Sequence, residues 1–254
     1  SADMKIKIPH CEDALGFKVS GSLNGGDYNY FDRKQIDFFR ENPASTDFIN
    51  RFKDGTPSRG YSYNIEANYH YSLGQSDYLT FIYGFNQDYI NTKESLYRLE
   101  QIDGWGIGTT HPIGTLPSVR EYLPSLDAGN SYRGGLIDNA HTLTVAYTLK
   151  VFDNKKSRMY FSPALIARVK RERLKYQRAE VDTAFARTNI LVTPSFTLKW
   201  NTKDWKEDIR FDYAMDISTP NMLYGVSFVQ DSDPMVTTNY GNRNLKNRQS
   251  HSFS

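Results

Sequence analysis

Tyr61-Ser62-Tyr63-Asn64-Ile65-Glu66-Ala67-Asn68-Tyr69-His70-Tyr71-Ser72-Leu73 alternates without a break. Tyr61, Tyr63, Ile65, Ala67, Tyr69, Tyr71 and Leu73 fall on one side, and Ser62, Asn64, Glu66, Asn68, His70 and Ser72 on the other. A period of two is the mark of a β-strand, because successive side chains point to opposite faces. At ~3.3 Å per residue the run is roughly 43 Å long. Tilted by about 40°, it stands ~33 Å tall, enough to cross an outer-membrane apolar band of ~25 Å. Its apolar side is rich in Tyr, a residue suited to a lipid–water interface.

The pattern recurs. Leu15–Leu23, Leu79–Asp88, Thr142–Val151, Met159–Lys170, Ile190–Trp200 and Ile209–Ile217 alternate in the same way, and an eighth strand begins at Gln249–Ser254. Pro163 and Pro194 remove ladder donors and are expected at bulges or where pairing ends. Gly74–Asp77, Asp153–Ser157 and Asn201–Trp205 read as short polar hairpin turns. Residues 25–59, 92–137, 173–187 and 218–247 read as long links, and Phe31–Phe39 as a short loop helix. Alternation of short and long connections is the habit of outer-membrane barrels, with short periplasmic turns and longer extracellular loops.

Composition narrows the classes. The 254 residues are 39% hydrophobic with a mean hydropathy of −0.62, and no run of ~18 apolar residues suits a helical span. Alternating strands average out in hydropathy, so a membrane barrel stays open. With 18 Tyr and 15 Phe, the chain fits aromatic girdles or a carbohydrate-binding β-protein. A net charge of +2 is too small to point to nucleic acid. Cys11 is the sole cysteine, which excludes an internal disulfide or a cysteine-built zinc site. The chain starts at Ser1 without a signal-peptide pattern and stops at Ser254 inside a strand, so a piece of a longer protein is expected.

The tail carries a family resemblance. Ser218-Thr219-Pro220-Asn221-Met222 leads to Asp233-Pro234, then Gly241-Asn242-Arg243-Asn244-Leu245-Lys246, then Ser250-His251-Ser252-Phe253. This resembles the outer-membrane β-barrel region of TonB-dependent transporters, especially the Bacteroidetes type. In that family a Gly-Asn-Pro-x-Leu-Lys-Pro-Glu loop enters the next strand at a Ser-His/Asn-x-Phe element. Arg243 stands at the first Pro and Asn247 at the second. The resemblance implies a barrel of about 22 strands closed by an N-terminal plug. Residues 1–254 would form a single partial domain of the wall: all-β, antiparallel, up-and-down, and located in the cell outer membrane. The implied partners are outer-membrane lipid, the protein's own plug domain, a TonB-type energising complex and a surface lipoprotein. The implied function is uptake of a nutrient, with no enzyme activity and no cofactor.

Catalytic and metal motifs are not apparent. Trp105 lies within Gly104-x-Gly106-x-Gly108, which lacks the preceding strand and following helix of a nucleotide turn and reads as a surface loop. His10, His70, His111, His141 and His251 have no metal-ligand spacing. If the apolar faces meet lipid, Lys18, Glu66, His70, Lys150, Arg168, Lys170, Arg210, Asp212 and Asp216 face the lumen. They serve there as substrate path, as plug contact, or as a cross-strand ion network within the wall. Lys170-Arg171-Glu172-Arg173 reads as the solvated top of a strand. Loop aromatics Tyr28, Tyr30, Trp105, Tyr122 and Tyr132 are the candidates for stacking on a captured ligand, and none can be singled out. Two alternatives stay open: a soluble or surface-exposed glycan-binding β-sandwich, and a small stand-alone outer-membrane barrel with a structural or adhesive role.

Overall fold

A computed structural model describes residues 2–7, 13–38, 45–74, 77–203, 207–231 and 237–254. The strands are β1 (Ala2–Lys7), β2 (Ala14–Asn24), β3 (Tyr28–Phe38), β4 (Ser45–Ser72), β5 (Tyr78–Arg98), β6 (Tyr132–Asp153), β7 (Ser157–Arg178), β8 (Val181–Thr202), β9 (Asp208–Ser218), β10 (Ser227–Gln230), β11 (Thr237–Tyr240) and β12 (Arg248–Phe253). Ten of them form one antiparallel sheet in the order β1-β2-β4-β5-β6-β7-β8-β9-β12, with β3 also paired to β4. β10 and β11 form a separate hairpin. The fold is therefore all-β and up-and-down, and among the described residues the sheet is open: β1 and β12 each have a neighbour on one side only.

All eight expected strands are present, but most run much further. β4 spans 28 residues, and β6, β7 and β8 span 22 each. At ~3.3 Å per residue, β7 is roughly 73 Å long. The extra length lies at the strand ends opposite the Asp153–Ser157 side of the sheet, so the upper strand halves form a crown beyond the sheet's regular lower band.

Several expected links are strand. Residues 25–59 hold β3 and the upper half of β4; Phe31–Phe38 is β-strand, not a loop helix. β3 lies above β2 in the same column, each pairing with a different stretch of β4. Edge pairing to β4 supplies the hydrogen bonds that a helix would otherwise offer this segment. The 173–187 link is a two-residue turn, Ala179–Glu180, between β7 and β8. The 92–137 link shrinks to residues 99–131, which carry a one-turn helix, α1 (Val119–Tyr122), capped by the reciprocal Ser118–Glu121 box. The two prolines meet the expectation on one side only: the β6–β7 ladder skips Pro163 and Pro194 lies one residue past the last β8–β9 pair, but both sit inside the unbroken β7–β8 register, opposite Phe196 and Leu165. His10, Cys11, Phe39, Gln75, Ser76, residues 204–206 and the Asp233–Pro234 pair lie outside the described residues.

The lower band has two unlike faces. Ile65, Phe81, Tyr83, Leu143, Leu165, Val169, Ile190, Val192, Ile209 and Phe211 share one face and are all exposed, Ile190 at 75%. Soluble proteins rarely leave so large an apolar patch in water. The opposite face carries the polar residues. The buried cores lie in the crown. Phe52, Tyr97, Leu99 and Trp105 form one, covered by Phe31, Ile102 and Tyr122. Leu174, Tyr176, Met222 and Val226 form the other, with Phe185 and Phe228 packed against it.

Candidate functional site

The polar face is built rung by rung from the ladder register. Paired residues lie on the same side of a sheet, so Glu66, Gly84, Thr142 and Arg168 form one rung. Asn64, Asn86, Ala140 and Lys170 form the next. These rungs line a groove of about 550 Å³, with Asp138 at its upper margin. Gly84 leaves space that any side chain would fill, since a Cβ there meets nothing within 4 Å.

Of the expected lumen-facing residues, Glu66, Arg168 and Lys170 are brought together in this groove. His70 shares the face lower down, where its Nδ1 lies 2.9 Å from Thr80 Oγ1. Arg210 and Asp212 are further off on β9, bound to each other at 2.6 Å. Lys170 Nζ donates to Asp138 and Glu172, both at 2.9 Å, and to Thr219 Oγ1 at 3.2 Å. Arg187 donates to Glu172 at 2.7 Å and to the Pro220 carbonyl. This network ties Thr219 and Pro220 to the polar face. Glu172 is buried, and its two cationic partners compensate the charge that burial would otherwise penalise. Arg168 is held more loosely, donating to Thr142 Oγ1 at 3.3 Å. Asp138 Oδ1 and Asn189 Nδ2 are buried atoms without a partner among the described residues.

A second charged cluster lies at the crown, and no sequence pattern marks it. Arg51 is buried between Glu100, at 3.0 Å, and Asp127, at 3.6 Å. Asp127 also accepts from Arg98 Nε at 2.6 Å and from the Asn130 side chain at 2.9 Å. Asn130 accepts from Arg178 at 2.8 Å and donates to Asp231 at 2.6 Å. The cluster thus joins β4, β5, β7, the 99–131 connection and the segment after β10. Its titration is opposed. Burial raises the Glu100 carboxyl above its ordinary range, with Arg51 pulling it back. Burial also works to raise Asp127, but hydrogen bonds from Asn130 and Arg98 outweigh it and hold that carboxyl low. Burial lowers the Arg51 guanidinium against the pull of Glu100. Asn130 and Asp231 are 101 positions apart, so local spacing carries no signal of this cluster.

The aromatic candidates are mostly not loop residues. Tyr28 and Tyr30 lie on β3 and Tyr132 begins β6. Tyr28 donates to Glu94, and its phenol is pushed up by burial and that carboxylate. Tyr132 stacks on Tyr176 at 6.0 Å. Trp105 and Tyr122 do lie in the 99–131 connection, but Trp105 is only 7% exposed and Tyr122 packs edge-on to Phe52 and Tyr97. They fill a core rather than present a platform. Of the five, Tyr30 is the most open, 5.9 Å from the Lys53 ammonium.

The tail motif ends in the sheet. Gly241 adopts a left-handed φ of 63°, and β12 pairs with β9 from Arg248 to Phe253. Arg243, at the position of the family's first Pro, stacks 4.6 Å over Phe185 and donates to Thr183. Among the described residues no group of three or more ligating side chains is placed to hold a metal. The groove offers paired charges and hydrogen-bonding groups on a rigid sheet, a chemistry of binding and lining. Comparison with family models, curated proteins and solved structures gave no match for this chain.

Proposed function

We propose that the chain is part of the wall and surface loops of an outer-membrane β-barrel of the TonB-dependent receptor type, taking up a nutrient through its lumen. The observation that carries this reading is the exposed apolar face of the lower band, set against a polar, grooved opposite face. Lipid is the solvent that suits the first, and a wet or plugged lumen suits the second. Two aromatic groups bound the apolar face. Tyr61, Tyr63 and Tyr89 cluster at its upper edge, and Phe196, Phe211, Tyr213 and Phe253 at its lower. On β4 the distance from Tyr61 to Tyr71 is roughly 33 Å along the strand, or ~25 Å along the normal at a tilt of about 40°, equal to the apolar band. The open edges at β1 and β12 leave room for further strands of the same wall. The family assignment rests on the Gly241–Phe253 resemblance.

A β-sandwich would cover the apolar face with a second sheet. Among the described residues, the only other sheet is the β10–β11 hairpin, and it packs on the opposite face. The test is fractionation of cells that express the full-length protein. Recovery in the membrane fraction, released only by detergent, is expected; recovery in the soluble fraction without detergent overturns the reading. Loss of uptake when the energising complex is removed tests the receptor assignment separately.

A further inference from the structure

At the upper edge of the apolar band, where Arg171 and Arg173 share ladder rungs with Tyr63 and Tyr61, β7 changes character on both faces at once. Below, its outward residues are Leu165, Ala167 and Val169; above, they are Arg171, Arg173 and Lys175. Strand periodicity keeps all six on one face, and no register shift intervenes. The three cations are exposed, while the alternate residues Glu172, Leu174 and Tyr176 are buried beneath the inner core. Their flanks on β8 are small, while on β6 Arg171 and Arg173 lie beside Asn139 and Ile137. Arg171, Arg173 and Lys175 pair with Thr188, Ala186 and Ala184 on β8, and Lys175 with Gly135 on β6. The result is a cationic ridge with an open shoulder on the β8 side.

Two more cations extend it. Lys93 and Arg133 are directly opposite one another on β5 and β6, on the same face. Like charges in that position repel unless an anion lies between them. None of the five cations has a hydrogen-bond or ion-pair partner among the described residues. The acids on this face stand at its borders: Asp182 accepts from Gln177 at 3.1 Å, and Asp54 lies on upper β4. This differs from the polar face, where Lys170 and Arg187 are both paired. A sheet that pairs Lys170 and Arg187 on its inner face, and leaves five outer cations without a partner among the described residues at the upper edge of an apolar band, presents them to something anionic.

We propose that this ridge binds the phosphate-bearing headgroups of anionic lipids in the leaflet on the long-loop side, with Arg171, Arg173 and Lys175 as the principal contacts. The proposal rests on the membrane reading above, which sets the ridge at headgroup depth. Arginine's planar fork matches phosphate oxygens two at a time, and the small flanking residues give a headgroup access to it.

The test uses the purified full-length protein in vesicles of mixed phosphatidylcholine and phosphatidylglycerol, with the bound lipid counted after detergent extraction. Wild type is expected to retain phosphatidylglycerol preferentially, and less so at high salt. Each cation near an anionic surface is worth roughly fivefold, so Arg171→Ser/Arg173→Ser/Lys175→Ser should lose about a hundredfold of that preference. The charge-preserving Arg171→Lys/Arg173→Lys should keep most of it. Equal retention of both lipids by wild type, or an unchanged preference in the triple serine variant, overturns the proposal. So does saturation of the ridge by heparin or inorganic phosphate without any lipid preference. Failure of the protein to stay with vesicles at all would instead defeat the membrane reading.

Discussion

Ala179 holds a φ of +45° in the turn between β7 and β8. An L-residue there brings its Cβ against the following carbonyl, at about 1–2 kcal/mol. Ala179→Gly should therefore stabilise the β7–β8 tip by about 1 kcal/mol, read as slower hydrogen exchange at Arg178 and Val181. Asp127 is the opposite case, a residue whose removal leaves others stranded. Arg98 and Asn130 donate to it, and the buried Arg51 guanidinium faces it as an ion pair at 3.6 Å. Asp127→Ala should cost on the order of 3 kcal/mol of crown stability, seen as faster exchange and proteolysis within residues 99–131. Neither residue stands out in the sequence. Ala179 lacks the Asn-Gly signature of a tight hairpin, and Asp127 finds its partners through the fold alone.

At the scale of the element, the crown couples the 99–131 connection to the segment after β10. Acid should loosen this coupling. The folded state holds the Asp127 carboxyl below its usual value of 3.8, so its contribution is complete above that value and is lost as pH falls through the lower folded value. Glu100 runs the other way: its carboxyl is raised, so its contribution is present at low pH and lost as pH rises through the folded value. Hydrogen exchange at residues 127–131 and 227–231 should therefore rise below about pH 3.8, and Asp127→Asn should flatten that acid limb. Gly60 tests the strand itself. A Cβ there would meet the Tyr89 carbonyl oxygen at 2.0 Å, next to the irregularity between Thr56 and Arg59. Gly60→Ala should cost roughly 1–3 kcal/mol and loosen β4–β5 pairing, detected by exchange at Tyr89–Asn91.

At the scale of the whole molecule, the two faces should answer charge differently. Leu165→Arg places a cation on the outward apolar face, where a lipid surround would charge about 2–4 kcal/mol at mid-depth. Thr144→Arg, on the groove side of the adjacent strand, should be tolerated. Recovery of the two variants in the membrane fraction should therefore differ, and equal recovery would argue against a lipid-facing band. The lower band was legible in the sequence because alternation is local: residues i and i+2 share a face whatever the rest of the chain does. The crown was not. On β7 the phase of the pattern inverts, from Leu165 and Val169 outward to Leu174 and Tyr176 inward, and an inverted phase reads as the end of a strand. By itself the sequence determined the strands of the band, the side each residue takes and the short turns. The tertiary structure alone decided that the strands continue past the band, that Trp105 and Tyr122 fill a core, and that Arg51, Asp127, Asn130 and Asp231 meet. The physical reason is range: pleat geometry is set between neighbours, whereas burial and charge pairing depend on segments up to a hundred residues apart.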